Sequence, residues 1–277
     1  MTITITEIDN PHKMKMKPIK ERQDIYVPDI INQNISRRNG MVYCLTGSGG
    51  SGKSSLMLNM FKDKLMYRQK FHNIYYFCPI SSFTSVDKHP FENHEKVYHE
   101  LTIPTLQGIY NELVEIKTLA TKPLEKKKQK EKKKKVKIVE DDYESSESEE
   151  EEEKHEIEYS AIIIDDFADS LKDISIQKFL NKFIIKARHL CCSFFITLQS
   201  YYYCPKIIRK QLTYITIFKP KNVEEWDGIA KEILNLNKDD GLKLYDYVFD
   251  EPYTHLDIDT VTNKIYKNFN LLTLSKE

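Results

Sequence analysis

The chain has 277 residues, long enough to bury a substantial core, and its 40% hydrophobic and 11% aromatic content is that of a globular protein. Forty-two basic residues balance 42 acidic ones, so no overall field marks the chain for nucleic acid or a membrane surface. No run approaches the roughly 18 apolar residues of a membrane span, Met1 to Asn10 does not read as a signal peptide, and five cysteines without a CxxC pair exclude a disulfide framework or zinc knuckle, so a soluble, intracellular protein is expected.

In chain order, residues 1–37 are polar and broken by Pro11, Pro18 and Pro28, which reads as an N-terminal arm. Met41 to Thr46 is an apolar run that predicts a buried strand, and a helix is expected from Ser54 to about Tyr67. Between them lies Gly47-Ser48-Gly49-Gly50-Ser51-Gly52-Lys53-Ser54, followed by Ser55 and holding four of the eight glycines. This is a P-loop in strand–loop–helix context. Glycines let backbone N–H groups turn inward to cradle phosphates, Lys53 reaches the β and γ phosphates, and the Ser54 hydroxyl can hold Mg2+. Asn73 to Cys78, closed by Pro79, predicts a second buried strand, and Thr105 to Ala120 carries apolar residues at helical spacing.

Residues 122–156 break the pattern. They hold 11 basic and 13 acidic residues, leaving 31 against 29 elsewhere, with lysines to Lys137 and then acids from Glu140 to Glu153. Such a segment buries too little apolar surface to offset its ordering entropy and is expected to be a disordered insertion. It reads as a solvated tether, with DNA contact by the lysine block as the alternative and Ser145, Ser146 and Ser148 as phosphorylation candidates.

Regularity returns with Tyr159 to Ile164, a strand that delivers Asp165 and Asp166 to its carboxyl end, where open α/β sheets bind ligands. Asp165 is the candidate Mg2+ ligand and Asp166 the candidate general base. A helix from about Ser175 to Ala187 and a strand Cys191 to Gln199 follow. If that strand lies between the P-loop strand and the Asp165 strand, the Gln199 amide approaches the γ-phosphate and its water. A strand at Tyr214 to Phe218 and a helix from Val223 to Leu236 come next. The tail, with Tyr245 to Phe249, Tyr253 to Ile258 and Lys264 to Phe269, reads as antiparallel hairpin strands. Trp226 and the Tyr201-Tyr202-Tyr203 run read as packing residues, and His89, His94 and His99 do not share a helix face as zinc ligands would.

Asp165-Asp166-Phe167-Ala168-Asp169, Lys186-Ala187-Arg188 and Ile196-Thr197-Leu198-Gln199 resemble the DNA-translocase line of the FtsK–HerA superfamily. Arg188 to Ser193, followed by Gln199 to Arg209, resembles more narrowly the genome-packaging ATPases of poxviruses, giant viruses and virophages. The resemblance covers about residues 38–235 and implies a RecA/ASCE-like P-loop fold; together with the strands and helices read above, it gives an expected α/β domain over residues 38–270, interrupted at 122–156, with a mostly parallel sheet flanked by helices, a C-terminal β-hairpin extension and a tail at 271–277. It implies catalytic roles for Lys53, Asp166 and Gln199, with Arg188, or alternatively Arg209, as an arginine finger acting on a neighbouring subunit. Further implications are ATP with Mg2+, non-sequence-specific double-stranded DNA, a homo-oligomeric ring, capsid or portal partners, and a place in the virion and the host-cell cytoplasm. Cellular members resembling this line carry Glu where this chain has Asp166. A nucleotide or small-molecule kinase, and an ATP-dependent scaffold without motor activity, are the alternatives.

Overall fold

A computed structural model describes residues 40–136 and 158–274. The arm expected at 1–37 and the insertion residues 137–157 lie outside the described residues. The elements are β1 (Val42–Thr46), α1 (Lys53–Lys62), β2 (Asn73–Phe77), α2 (Ile80–Thr84), β3 (Val97–Tyr98), α3 (Ile103–Val136), β4 (Ser160–Asp165), α4 (Ile174–Lys186), β5 (Cys192–Leu198), α5 (Lys206–Arg209) and β6 (Tyr214–Phe218). They continue with α6 (Val223–Ile229), α7 (Lys238–Val248), β7 (His255–Asp259), β8 (Lys264–Lys267) and β9 (Asn270–Leu272). All nine strands join one sheet in the order β3-β2-β4-β5-β1-β6-β7-β8-β9. The first six are parallel, and β7 to β9 add antiparallel strands to the β6 edge. Among the described residues no helix is long and apolar enough to cross a membrane.

Parallel strands covered on both faces read as continuous apolar runs, and alternation then assigns each side chain to a layer. Ile162 and Ile164 of β4, Phe194 and Ile196 of β5, and Val42 and Cys44 of β1 face the layer containing α3 and α4. Ala161 and Ile163, Phe195, and Tyr43 and Leu45 face α1, where Met57, Met60 and Phe61 cover them. Phe195 is the hub of that second layer: the rings of Phe61, Tyr67 and Phe71 lie 5.0, 5.2 and 5.8 Å from it, all near edge-on. Such pairs contribute about 0.5–1.5 kcal/mol each beyond the area they bury.

The starts of α4, α6 and α7 are capped by short polar side chains. Asp173 accepts from the Ser175 N–H at 2.6 Å, Asn222 from Glu225 at 2.8 Å and Asn237 from Asp240 at 2.9 Å.

The structure corrects the sequence reading in four places. Helix α1 ends at Lys62 and not near Tyr67, because Asp63 turns extended and the Tyr67 N–H bonds back to the Met60 carbonyl, folding the Tyr67 ring into the core. Helix α3 starts at Ile103, two residues before the expected Thr105, and its backbone is helical to Val136, past the expected end at Ala120. The helix expected from Val223 to Leu236 changes to a π turn over Ala230–Leu234 and closes at Asn235 in the left-handed region. Tyr245 to Phe249, read as a strand, lies in α7, whose buried face is Gly241, Leu244 and Val248. Helix α7 is tied to Trp226, whose indole N–H donates to the Gly241 carbonyl at 2.8 Å.

Candidate active site

The site forms at the carboxyl edge of the parallel strands. The loop after β1 is pinned where it begins, the Gly47 N–H donating to the Leu198 carbonyl at the end of β5 (3.1 Å). Gly47 has no room for a side chain: a Cβ there would stand 2.6 Å from the Phe218 Cβ and 2.8 Å from the Ser51 Oγ. Gly52, with φ +102°, turns the chain into α1 through a conformation that L residues rarely adopt. Overpacking at Gly47 costs about 1–3 kcal/mol. Gly47→Ala is therefore expected to lower the calorimetric melting temperature by several degrees, at roughly 2–4 °C per kcal/mol. Gly49, where a Cβ would meet nothing within 4 Å, supplies the control: Gly49→Ala should melt with the parent. Equal melting of both variants would show that the loop absorbs the Gly47 side chain.

Lys53 opens α1 and folds its ammonium back over the loop to donate to the Ser48 carbonyl at 3.0 Å. Burial pulls its pKa down, and the charges of Asp166 and Asp165 oppose that shift. The next residue, Ser54, donates its hydroxyl to Asp165 Oδ1 at 3.2 Å. Asp165 points toward α1 by the same alternation that places Ile163 there, and it is only 3% exposed. Thr197, directly across in the β4–β5 register, also donates to Oδ1, and the Tyr76 hydroxyl donates to Oδ2 at 3.0 Å. Burial raises the Asp165 pKa, and these three hydrogen bonds work against it.

Asp166 sits at φ +59°, in the left-handed region that Asp tolerates better than most residues. Its N–H donates to Thr197 Oγ1 at 3.1 Å, so one threonine fixes both aspartates. The reversal turns its carboxylate out of the core: Gln199 Nε2 donates to Oδ1 at 3.2 Å and Ser82 Oγ to Oδ2 at 3.3 Å. The condition set for Gln199 is met, since β5 lies between β1 and β4. A cavity of about 460 Å³ opens over Asp166 and Gln199, lined also by Pro79, Ala168 and Tyr203.

The two arginines occupy different settings. Arg188 is exposed in the turn before β5, at the opposite end of the sheet from Lys53. The seven residues of β5 separate those ends by about 20 Å. Arg209 is 12% exposed, pairs with Glu232 at 3.1 Å, and lies 5.0 Å from each of the Tyr201 and Tyr202 rings. Tyr201 is buried as a packing residue, as is Trp226, whereas Tyr202 and Tyr203 are exposed.

Three site residues escaped the sequence reading. Thr197 was within reach, because a polar residue in an apolar strand aligned with Asp165 is a signal once strand order is known. Ser82 and Tyr76 carry no such signal. Tyr76 is oriented from behind by His89: the Phe91 N–H donates to Nδ1 at 3.1 Å, so the neutral ring carries its proton on Nε2, 3.2 Å from the tyrosine oxygen. Burial lowers the His89 pKa, which favours that neutral form.

The residues fit a polyphosphate and a hard divalent cation. Ser51 Oγ is buried in the loop with no hydrogen-bond partner among the described residues, and Ser54 and Asp165 converge an all-oxygen donor set of the kind Mg2+ takes.

No protein-family model matches the chain, and its sequence matches no curated protein. Its structure is similar to that of B204, the DNA-packaging ATPase of Sulfolobus turreted icosahedral virus. The TM-score is 0.54 at 16% identity, over 83% of this chain and 97% of that one. It is also similar to EssC (ATPases 2 and 3) of Geobacillus thermodenitrificans, with a TM-score of 0.51 at 13% identity over 86% of this chain and 41% of the larger one. The chain thus has a P-loop ATPase fold, of the form seen in a viral packaging ATPase and in EssC.

Proposed function

We propose that this chain is an ATP-driven double-stranded DNA translocase that packages a viral genome into its capsid, working as a homo-oligomeric ring. The observation that carries the reading is the pair of consecutive aspartates locked by Thr197 beside a P-loop: one is buried against Ser54, and the other is turned out toward Gln199. The packaging assignment is supported by the fold shared with B204 and by the resemblance of the Arg188 to Arg209 block to viral packaging ATPases.

In this reading Gly47 anchors the loop through its N–H on Leu198, the backbone N–H groups beyond it up to Lys53 hold the ATP phosphates, Ser55 extends that cradle at the first turn of α1, and Lys53 exchanges the Ser48 carbonyl for a phosphate oxygen. Ser54 and Asp165 hold Mg2+, which supplies positive charge where the β and γ oxygens gather negative charge. Asp166 takes a proton from the attacking water as the water oxygen bonds to the γ-phosphorus and the bond to the β–γ bridging oxygen breaks, leaving ADP and phosphate, while the Gln199 amide orients that water and registers the loss of the γ-phosphate. Arg188 of one subunit stabilises the charge at the next subunit's site. Its own nucleotide is a sheet length away, and Arg209 is held by Glu232 and two tyrosines. DNA is gripped through phosphates without sequence readout, capsid or portal proteins are the docking partners, and the virion and host-cell cytoplasm are where the ring works.

The deciding measurement is ATPase rate against added polymer. Duplex DNA of any sequence is expected to stimulate turnover, with log–log salt dependence whose slope falls by about 0.9 per phosphate neutralised. Stimulation by a small acceptor in place of DNA would favour a kinase. Binding of ATP with indifference to both would favour a scaffold.

A further inference from the structure

Strand order fixes which way a nucleotide bound here must run. Asp165, Asp166 and Gln199 stand at the ends of β4 and β5, on one side of β1, whereas β6 and β7 lie on the other. A triphosphate whose terminal phosphate faces Asp166 and Gln199 extends its sugar and base along the loop toward β6 and β7.

Two aromatic residues wait there. Phe218, the last residue of β6, is buried beneath the loop, and a Cβ on Gly52 would stand 3.5 Å from its ring and 3.4 Å from the Tyr253 Cδ1. Tyr253 differs from Phe218 in being 71% exposed. Its φ is +65°, a conformation in which a bulky side chain is an outlier. The α7–β7 loop that carries it is tied down on both flanks. Thr254 Oγ1 donates to the Glu251 carbonyl at 2.8 Å, Lys219 Nζ to the Phe249 carbonyl at 3.3 Å and Lys267 Nζ to Asp250 Oδ1 at 2.7 Å. The loop thus holds a large ring in solvent, in a disfavoured backbone conformation, against the glycine that begins α1. An exposed tyrosine is ordinary by itself. Backbone strain over-determined by its surroundings is a mark of ligand clamps.

We infer that Tyr253 is the platform on which the nucleotide base stacks, with Phe218 backing the Gly52 turn so that base and phosphates are held in one register. The inference rests on the nucleotide-binding reading above. A phenol face stacks on any base, so the platform adds affinity and sets the direction of the nucleotide while discriminating little between adenine and guanine.

The test compares ATP with inorganic tripolyphosphate, which fills the same loop but has no base. Titrating the full chain with each in the presence of Mg2+, Tyr253→Ala is expected to weaken ATP by about tenfold or more while leaving tripolyphosphate unchanged. Tyr253→Phe should keep both affinities. Tyr253→Gly, which relieves the backbone but lacks the ring, should behave as Tyr253→Ala. Equal weakening of both ligands in Tyr253→Ala, or of neither, would overturn the inference. A parent chain that binds neither ligand would instead overturn the nucleotide reading and this inference with it.

Discussion

Preparations that mix Arg188→Ala subunits with Lys53→Ala subunits are expected to recover ATPase activity that neither variant shows alone. The expectation follows from where the sheet puts the two residues. Lys53 opens α1 at the carboxyl edge of the strands, while Arg188 precedes β5 at the opposite edge. In the proposed ring a head-to-tail contact, in which two different patches meet, would bring the Arg188 end of one subunit against the Lys53 end of the next. An arginine supplied in this way is worth about 10³–10⁵ in rate, so Arg188→Ala alone should be nearly silent. Lys53→Ala removes the phosphate-holding ammonium and should be silent as well. In an equimolar mixture about a quarter of the interfaces join an intact loop to an intact arginine, which bounds the recovered rate if subunits assort at random. Recovery that never appears at any mixing ratio would place Arg188 outside the site.

Asp166→Asn is expected to bind nucleotide as the parent does and to lose about 10²–10⁴ of turnover, the range over which general bases contribute. The two aspartates divide the work by environment. Asp165 accepts from Thr197, Ser54 and Tyr76 and is buried, so its carboxylate is held beside the P-loop and faces away from the cavity. Asp166 is reversed by its positive φ into the cavity, where Ser82 and Gln199 steady it. Asparagine keeps the size and one acceptor oxygen but cannot take a proton. Binding measured by titration and single-turnover hydrolysis separate the two effects, and unchanged turnover would remove Asp166 as the base.

Much of this was legible in the sequence because the parallel strands are buried on both faces. Met41 to Thr46, Tyr159 to Ile164 and Ser193 to Leu198 appear as mainly apolar runs, and the glycine-rich loop and the aspartate pair mark the ends of two of them. What escaped depends on contacts between residues distant in the chain. Tyr76 reaches Asp165 across 89 positions and Ser82 reaches Asp166 across 84, through strand order alone. Helix α7 was misread because Tyr245-Asp246-Tyr247-Val248-Phe249 is dense in the aromatic and β-branched residues that strands favour. Its true buried face, spaced three and four apart, begins with Gly241, which adds no apolar signal. The short α2 and β3 are set by their neighbours, with too few residues to show a period of their own. β9 falls across the boundary set between the ATPase domain and a tail at 271–277.

The described chain resumes at Glu158, just before Ser160, which pairs with Cys192 at the amino end of β5, whereas the phosphate-handling residues all gather beyond the other end of these strands. A change in the length or charge of the segment before Glu158 is therefore expected to leave the geometry of Lys53, Asp165 and Gln199 as it is, so that end of the sheet is where chain can be added or removed without touching the chemistry.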